Sequence, residues 1–390
     1  MKFILNTLNH CTPRIGTLKE FERLPNIILE TPLLLIYTKR GCIPHLTKDI
    51  FKMVTKQEHL LSISLPSTLQ MKDSIKELNI SFAEFVSMKE YINFLSIQDP
   101  SQINPSDFQV GNSISVWSRT GNNAFTANKY MDLVETFEPD LYVALCDGMM
   151  HDSEKRISKA MNRSKTLMDQ CIKRHAASDK LKSKSILGAV EGCYNLKIRE
   201  ESVEYLKDKP FDGYVIDGLH GNGPDVQDIK WKQIENVIQH TIKLLPEDKL
   251  RVSLGCWNPL VILELINVGM DIFDTTYPSI VTDRSEALTF LCDHDSCKNT
   301  SHILTVGEKR YADDFSPICQ YCECLTCKNH TRAYLNHLHV TKELLEMVLL
   351  MIHNTHHYLE FFNAIRQSIK DDTFDKFREK INSKFPKEDS

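Results

Sequence analysis

The chain has 390 residues, 42% of them hydrophobic and 25% charged, enough to bury one large core or two medium ones. No apolar run reaches the 18 or so residues of a membrane span, and the opening Met1-Lys-Phe-Ile-Leu-Asn6 is too short an apolar patch for a signal peptide. The net charge of −5 gives no global nucleic-acid signal. Twelve cysteines, several isolated in apolar segments (Cys146, Cys193, Cys256), fit a reducing compartment better than a disulfide framework. The expectation is a cytoplasmic protein with no integral membrane association.

Short runs rich in β-formers recur along the chain. The early ones are Leu33–Tyr37, Leu61–Ser64 and Ile80–Phe82. Leu141–Leu145, Ile186–Val190, Gly213–Ile216, Arg251–Leu254 and Met270–Phe273 follow. The first four of this later group precede longer stretches with helical spacing, such as Ile229 to Leu245, and Pro259 just after Asn258 marks one join. Strands alternating with helices imply βαβ units and a parallel sheet. Eight candidates over about 240 residues suit a (β/α)8 barrel, typically roughly 250 residues long. A doubly wound open sheet is the alternative, but no G-x-G-x-x-G follows an early strand. The barrel is expected over residues 1–290, a smaller cysteine-bearing subdomain, read below as zinc-binding from its ligand pattern, over 291–355, and C-terminal helices packing on the barrel over 356–390.

Carboxylates stand just past these strands. Asp147 lies two residues beyond Leu145, Glu191 follows Val190, Asp217 follows Ile216 and Asp274 follows Phe273. At the carboxyl ends of parallel strands they would converge on one mouth, where barrel active sites are built. A ring of acids serves nucleophilic or acid–base chemistry, or hydrogen-bonds a base or sugar. Asp is also common in βα loops simply as a helix cap. Between Lys155 and Lys184 ten Lys or Arg face only Asp169 and Asp179, an excess of eight positive charges. Such a stripe binds phosphates, or is an ordinary solvated helix face.

The most specific pattern is Cys322-Glu-Cys324-Leu-Thr-Cys327, followed after 25 intervening residues by His353 in an apolar helical stretch. Three thiolates and one imidazole are the ligand set of a closed tetrahedral zinc site. With four protein ligands no position remains for water, so the metal is structural. Cys319 makes a competing C-x2-C with Cys322. Phe374, Phe377, Ile381 and Phe385 keep helical spacing and predict a last amphipathic helix.

These residues carry a family resemblance. The chain resembles the tRNA-guanine transglycosylases, zinc-containing (β/α)8 barrels that exchange an anticodon guanine for queuine or a precursor. The anchors are Gly213-Tyr-Val-Ile-Asp-Gly-Leu-His220, Gly269-Met-Asp-Ile-Phe-Asp-Thr-Thr-Tyr-Pro278 and the knuckle with its continuation Cys327-Lys-Asn-His-Thr-Arg-Ala-Tyr-Leu-Asn-His-Leu338. The resemblance implies one structural zinc ion held by Cys322, Cys324, Cys327 and His353, with Cys319 a bystander.

The departures fall on the reaction site. Where catalytic members carry Asp-Ser-Gly-Gly-Phe-Gln, this chain has Asn104-Pro-Ser-Asp-Phe-Gln-Val110. The family's Gln-Gly is Glu191-Gly192, which when ionised offers only acceptors. Its Gly-Gly-Leu is Asp217-Gly-Leu219, where a side chain takes the room of a glycine. Asp274 stands at the nucleophile position but without the Cys-Val-x-Pro-Thr-Arg that should follow, so it is expected to be vestigial and no residue catalytic. The resemblance is closest to the branch whose members lack the chemistry and pair with a catalytic homologue, the heterodimer modifying the wobble guanine of tRNAs for Asp, Asn, His and Tyr. By the same resemblance the zinc region supplies dimer contacts, and the family associates with the mitochondrial outer surface. Two other functions fit some of the pattern. One is an active transglycosylase homodimer in which Asp274 attacks and Asp107 or Glu191 replaces the missing acid. The other is a binding module that uses the zinc region without any such partner.

Overall fold

Eight short strands, buried along their whole lengths, form the centre of the first part of the chain. They are β1 (Leu33–Thr38), β2 (Leu60–Ser64), β3 (Ile92–Ser96), β4 (Leu141–Val143), β5 (Ser185–Val190), β6 (Gly213–Ile216), β7 (Leu250–Val252) and β8 (Ile272–Asp274). All pair in parallel and close in sequence order, with Ile272 and Phe273 of β8 opposite Leu33 and Leu34 of β1. Strands buried on both faces need near-continuous apolar runs, which is why they stand out in the sequence. The computed structural model describes residues 1–6, 13–105, 111–148, 150–151, 153–291 and 301–386.

Between the later strands run α1 (Ala127–Phe137), α2 (Glu154–Ala177), α3 (Leu196–Lys207), α4 (Trp231–Leu244) and α5 (Pro259–Asn267). Their starts are set by side chains that accept an orphan backbone N–H: Thr126 for α1, Asn195 for α3 and Asn258 for α5, with Pro259 at the first turn of α5. The expected barrel is therefore present and the open sheet is not. One strand was misplaced. Ile80–Phe82 is not extended: Ser81 caps a helical turn over Phe82–Phe85 by accepting the amide of Glu84. The third barrel strand is Ile92–Ser96 instead, whose Asn93 and Ser96 break an otherwise apolar run while lying fully buried.

The chain divides into two compact units, residues 1–41 with 58–274, and residues 42–57 with 275–390. The first is the barrel, preceded by an antiparallel sheet of Lys2–Leu5, Gly16–Lys19 and Leu29–Thr31. The second is built on α6 (Thr276–Asp283), a ribbon of β9 (Glu286–Leu288) and β10 (Ile303–Thr305), α7 (Leu325–Asn329), α8 (Arg332–Thr341), the 26-residue α9 (Leu345–Lys370) and α10 (Phe374–Asn382). The division thus falls at residue 274, not 290, and α9 passes through residue 355 unbroken. Asn354 ties α9 to its neighbours: its amide donates to Thr282 Oγ1 and the Glu286 carbonyl, and its oxygen accepts from Leu288 N. The predicted last helix is α10. It buries Phe374 and Ile381 and sets Phe377 against Phe361 of α9, with ring centroids 6.1 Å apart.

Candidate functional site

The knuckle forms because Cys324 is the cap of the short helix α7, its sulfur accepting the Cys327 amide at 3.3 Å. Thr326 then bonds the Leu349 carbonyl at 2.7 Å, which fixes α7 against α9. His353 stands on α9, fully buried among Leu349, Leu350, Met351 and Ile352. Its Nε2 lies 2.8 Å from the Leu288 carbonyl, so that nitrogen carries the proton and Nδ1 presents its lone pair. Nδ1 faces Cys322 Sγ at 3.8 Å, Cys324 Sγ at 3.5 Å and Cys327 Sγ at 3.3 Å.

One lone pair cannot accept from three thiols, but one cation can bind all four atoms. For a tetrahedral ion with bonds of about 2.3 Å to sulfur and about 2.1 Å to nitrogen, the S···N edge is about 3.6 Å, the middle of the observed range. Cys322, Cys324, Cys327 and His353 can therefore hold a metal ion, and the Leu288 carbonyl is the outer-shell partner that fixes the imidazole tautomer. Cys319, His353 and His357 make a second close triple. In it His357 already accepts the Leu291 amide through Nε2 at 3.2 Å, so only the first set surrounds a common point with free donors.

The barrel mouth is a different environment. Asp217 Oδ1 accepts the Gly218 amide at 2.7 Å, and its Oδ2 lies so close to Gly148 that a Cβ there would overlap it. Its carboxyl thus occupies the space above β5. Buried Cys146 and Glu191 cluster with half-buried Asp217. Burial, and then the neighbouring Asp217, pushes the Glu191 carboxyl up to about 8, against the pull of Arg199. Burial likewise raises Asp217 to about 6. A carboxyl so raised favours its protonated form at neutral pH, with one donor and one acceptor. The ionised, acceptor-only form is disfavoured here, because burial withholds the water that would solvate the charge.

Two arginines organise this mouth, and neither was anticipated there. Arg199 of α3 is fully buried and donates to the carbonyls of Cys193, Val190 and Asp217 at 2.9, 2.7 and 2.6 Å. Arg163, counted above as part of the basic stripe, points inward and pairs with Asp147. One of the four acids expected to converge on the mouth is thereby held in a buried salt bridge. Asp274 is buried and accepts the Gly255 amide at 2.7 Å, on the side of the barrel where its charge acts on Tyr37. So Asp147, Glu191 and Asp217 are electrostatically coupled, while Asp274 stands apart from that group. Asp107 lies outside the described residues. The cavity between Asp217, His220, Asn222 and Gln98 encloses about 30 Å³. That is room for a water molecule or two, against the several hundred Å³ of a ligand pocket.

A closed parallel barrel followed by a thiolate-rich metal knuckle defines a narrow class of proteins. Residues 10–387 match the family described as queuine tRNA-ribosyltransferase, and the chain belongs to that family. It is similar to proteins named queuine tRNA-ribosyltransferase accessory subunit 2 from three insects. With that of Anopheles gambiae it is 39% identical, covering 97% of this chain and 89% of the relative. Identity is 35% with the Aedes aegypti protein and 32% with that of Drosophila melanogaster, each pairing covering 98% of this chain and 92% of the relative.

Proposed function

We propose that this chain is the non-catalytic subunit of a heterodimeric queuine tRNA-ribosyltransferase. It supports assembly and tRNA binding while a catalytic homologue exchanges guanine for queuine at the wobble position of tRNAs for Asp, Asn, His and Tyr. The observation that carries this reading is the crowding around Asp217: its carboxyl leaves no room for a Cβ at Gly148, Asp147 is neutralised by Arg163, and the cavity that the described residues leave beside Asp217 is about 30 Å³. Base exchange needs an attacking carboxylate and a proton-handling group around a purine-sized hole. The names of the relatives agree with this division of labour. The test is incorporation of labelled guanine into unmodified tRNA. The purified chain alone is expected to give no turnover, and co-purification with a catalytic homologue to restore it. Turnover by the lone chain would instead support a homodimer using Asp274.

The metal in this reading is one structural zinc ion, which suits a set of three sulfurs and one nitrogen. The zinc unit also supplies a docking surface: Phe315 and Leu344 are 78% and 85% exposed, with Tyr321 and Val340 close behind. Large apolar side chains left this exposed are candidates for an interface. The working compartment is the cytoplasm, with the mitochondrial outer surface as the place to look by fractionation.

For tRNA contact, the stripe on α2 narrows. Arg174 pairs with Asp132 and Glu135, Lys180 with Glu138, Lys182 with Asp179 and Lys184 with Glu22. Among the described residues Lys155, Arg156, Lys159 and Lys173 have no acidic partner and are exposed. Charge reversal at Lys155, Arg156 and Lys159 is expected to weaken tRNA binding by the heterodimer. It should also lower the slope of log K against log salt by about 0.7–0.9 per lost phosphate contact. An unchanged slope would place the RNA contacts elsewhere.

A further inference from the structure

Three neighbouring strands of the barrel end on side chains that carry metal-binding donors. Cys146 follows β4, Glu191 follows β5 and Asp217 follows β6. The parallel register sets Leu187 opposite Val143 and Val190 opposite Ile216, so the three residues stand at one level of the barrel. Their donor atoms all lie within 4.8 Å of one another. Small side-chain shifts close that spread around one ion, whose bonds are about 2.3 Å to sulfur and about 2.0–2.2 Å to carboxylate oxygen.

The backbone here is braced by groups that leave these donors unused. The amides of Glu191 and Asp147 donate to the buried hydroxyls of Ser202 and Ser164 at 3.0 and 2.8 Å. Arg199 spends its guanidinium on the carbonyls of Cys193, Val190 and Asp217, and Arg163 pairs with Asp147. Among the described residues neither arginine bonds a carboxylate oxygen of Glu191 or Asp217. Glu191 is 3% exposed, yet its Oε1 has no hydrogen-bond partner among the described residues. A buried oxygen left unsatisfied costs free energy, so it points to a ligand that supplies positive charge. Asp217 also borders the small cavity shared with His220 and Asn222, which gives an ion its way in and a water ligand its place.

We propose that Cys146, Glu191 and Asp217 form a second cation site, separate from the knuckle, for a divalent transition-metal ion. One thiolate with two carboxylates is a mixed soft and hard set, suited to ions between Mn²⁺ and Zn²⁺. On binding, the Cys146 thiol and the Glu191 carboxyl each release a proton to solvent as the sulfur–metal and oxygen–metal bonds form, and the two charges of the ion replace those protons. Three protein ligands leave a position for water, unlike the closed knuckle. This ion therefore exchanges on dialysis while the knuckle keeps its own. The site needs neither the partner subunit nor tRNA, so its test is independent of base exchange.

The test is equilibrium dialysis of the full chain, with its knuckle zinc in place, against Co²⁺, together with the absorption spectrum of the bound cobalt. The parent chain is expected to take up one Co²⁺, to show a sulfur-to-cobalt charge-transfer band, and to melt at a higher temperature with the ion than without. Cys146→Ser should abolish the band and weaken uptake by about tenfold or more. Glu191→Gln should weaken uptake to a similar degree, with the knuckle zinc content unchanged in both variants. Asp217→Asn, at the half-buried ligand, is a milder third variant should the other two lower stability, and it too should bind more weakly. Absence of cobalt uptake by the parent chain overturns the site whatever the variants do. A cobalt band that survives Cys146→Ser overturns it as well, since the ion then sits in the knuckle, and so does uptake indifferent to all three substitutions.

Discussion

Cys324→Ala is expected to abolish metal binding and unfold the region around residues 318–355 while the barrel stays folded. Cys324 acts twice, as a sulfur facing His353 Nδ1 and as the cap whose sulfur accepts the Cys327 amide. Without it the remaining two sulfurs and one nitrogen cannot close a tetrahedral shell. Structural zinc sites contribute roughly 10–16 kcal/mol of apparent folding free energy, comparable to the roughly 5–15 kcal/mol stability of a whole domain. The segment that depends on it has few alternatives: α7 is five residues long and is held to α9 by Thr326. Metal content by mass spectrometry should fall from one zinc per chain to none. Amide exchange protection should vanish around the knuckle and persist in β1–β8, and the heterodimer should no longer form. Cys319→Ala, by contrast, should retain the ion. A Cys324→Ala protein that lost its metal yet still formed a full-strength heterodimer would separate docking from the zinc centre and sink this account.

The second large effect is on the pH dependence of stability. Glu191 has a folded-state value near 8 because burial and Asp217 disfavour its charge, while an unfolded glutamate titrates near 4.3. Below about pH 4 both states hold the proton and the site imposes no differential cost. As pH rises toward 8 the unfolded chain releases a proton that the folded one keeps, so stability falls across that window and levels off above it. Glu191→Gln preserves a donor and an acceptor without the charge. It should lie close to the parent near pH 4.5 and exceed it at pH 8.5 by on the order of 4 kcal/mol. Asp217, raised to about 6 by burial, remains in the variant and keeps a shallower slope below pH 7. Urea denaturation from pH 4.5 to 8.5 reads the difference. Parallel curves for the two proteins would mean that Glu191 is ionised in the folded state.

Much of this protein was legible in residue order. A parallel barrel buries both faces of its strands, so Leu33–Tyr37, Ile186–Val190 and Gly213–Ile216 announce themselves as apolar runs of strand length. Ile92–Ser96 was missed because Asn93 and Ser96 interrupt the run, and Ile80–Phe82 was mistaken for it because a capping serine reads like any polar residue between apolar ones. The metal set was legible for a related reason. Three of its four ligands lie within six residues, and local spacing survives in a linear string.

Residue order also put Glu191 and Asp217 at the barrel mouth, where the family resemblance implies a glutamine and a glycine. Only the tertiary structure decided what those replacements do. Whether Glu191 is charged depends on burial and on a carboxyl 26 positions away. Whether Arg163 meets RNA or Asp147 depends on which face of α2 turns inward. Whether Cys146 can share an ion with Glu191 and Asp217 depends on three strand ends meeting at one level of the barrel. Protonation, ion pairing and cavity shape follow distances through space, and a sequence records only distances along the chain.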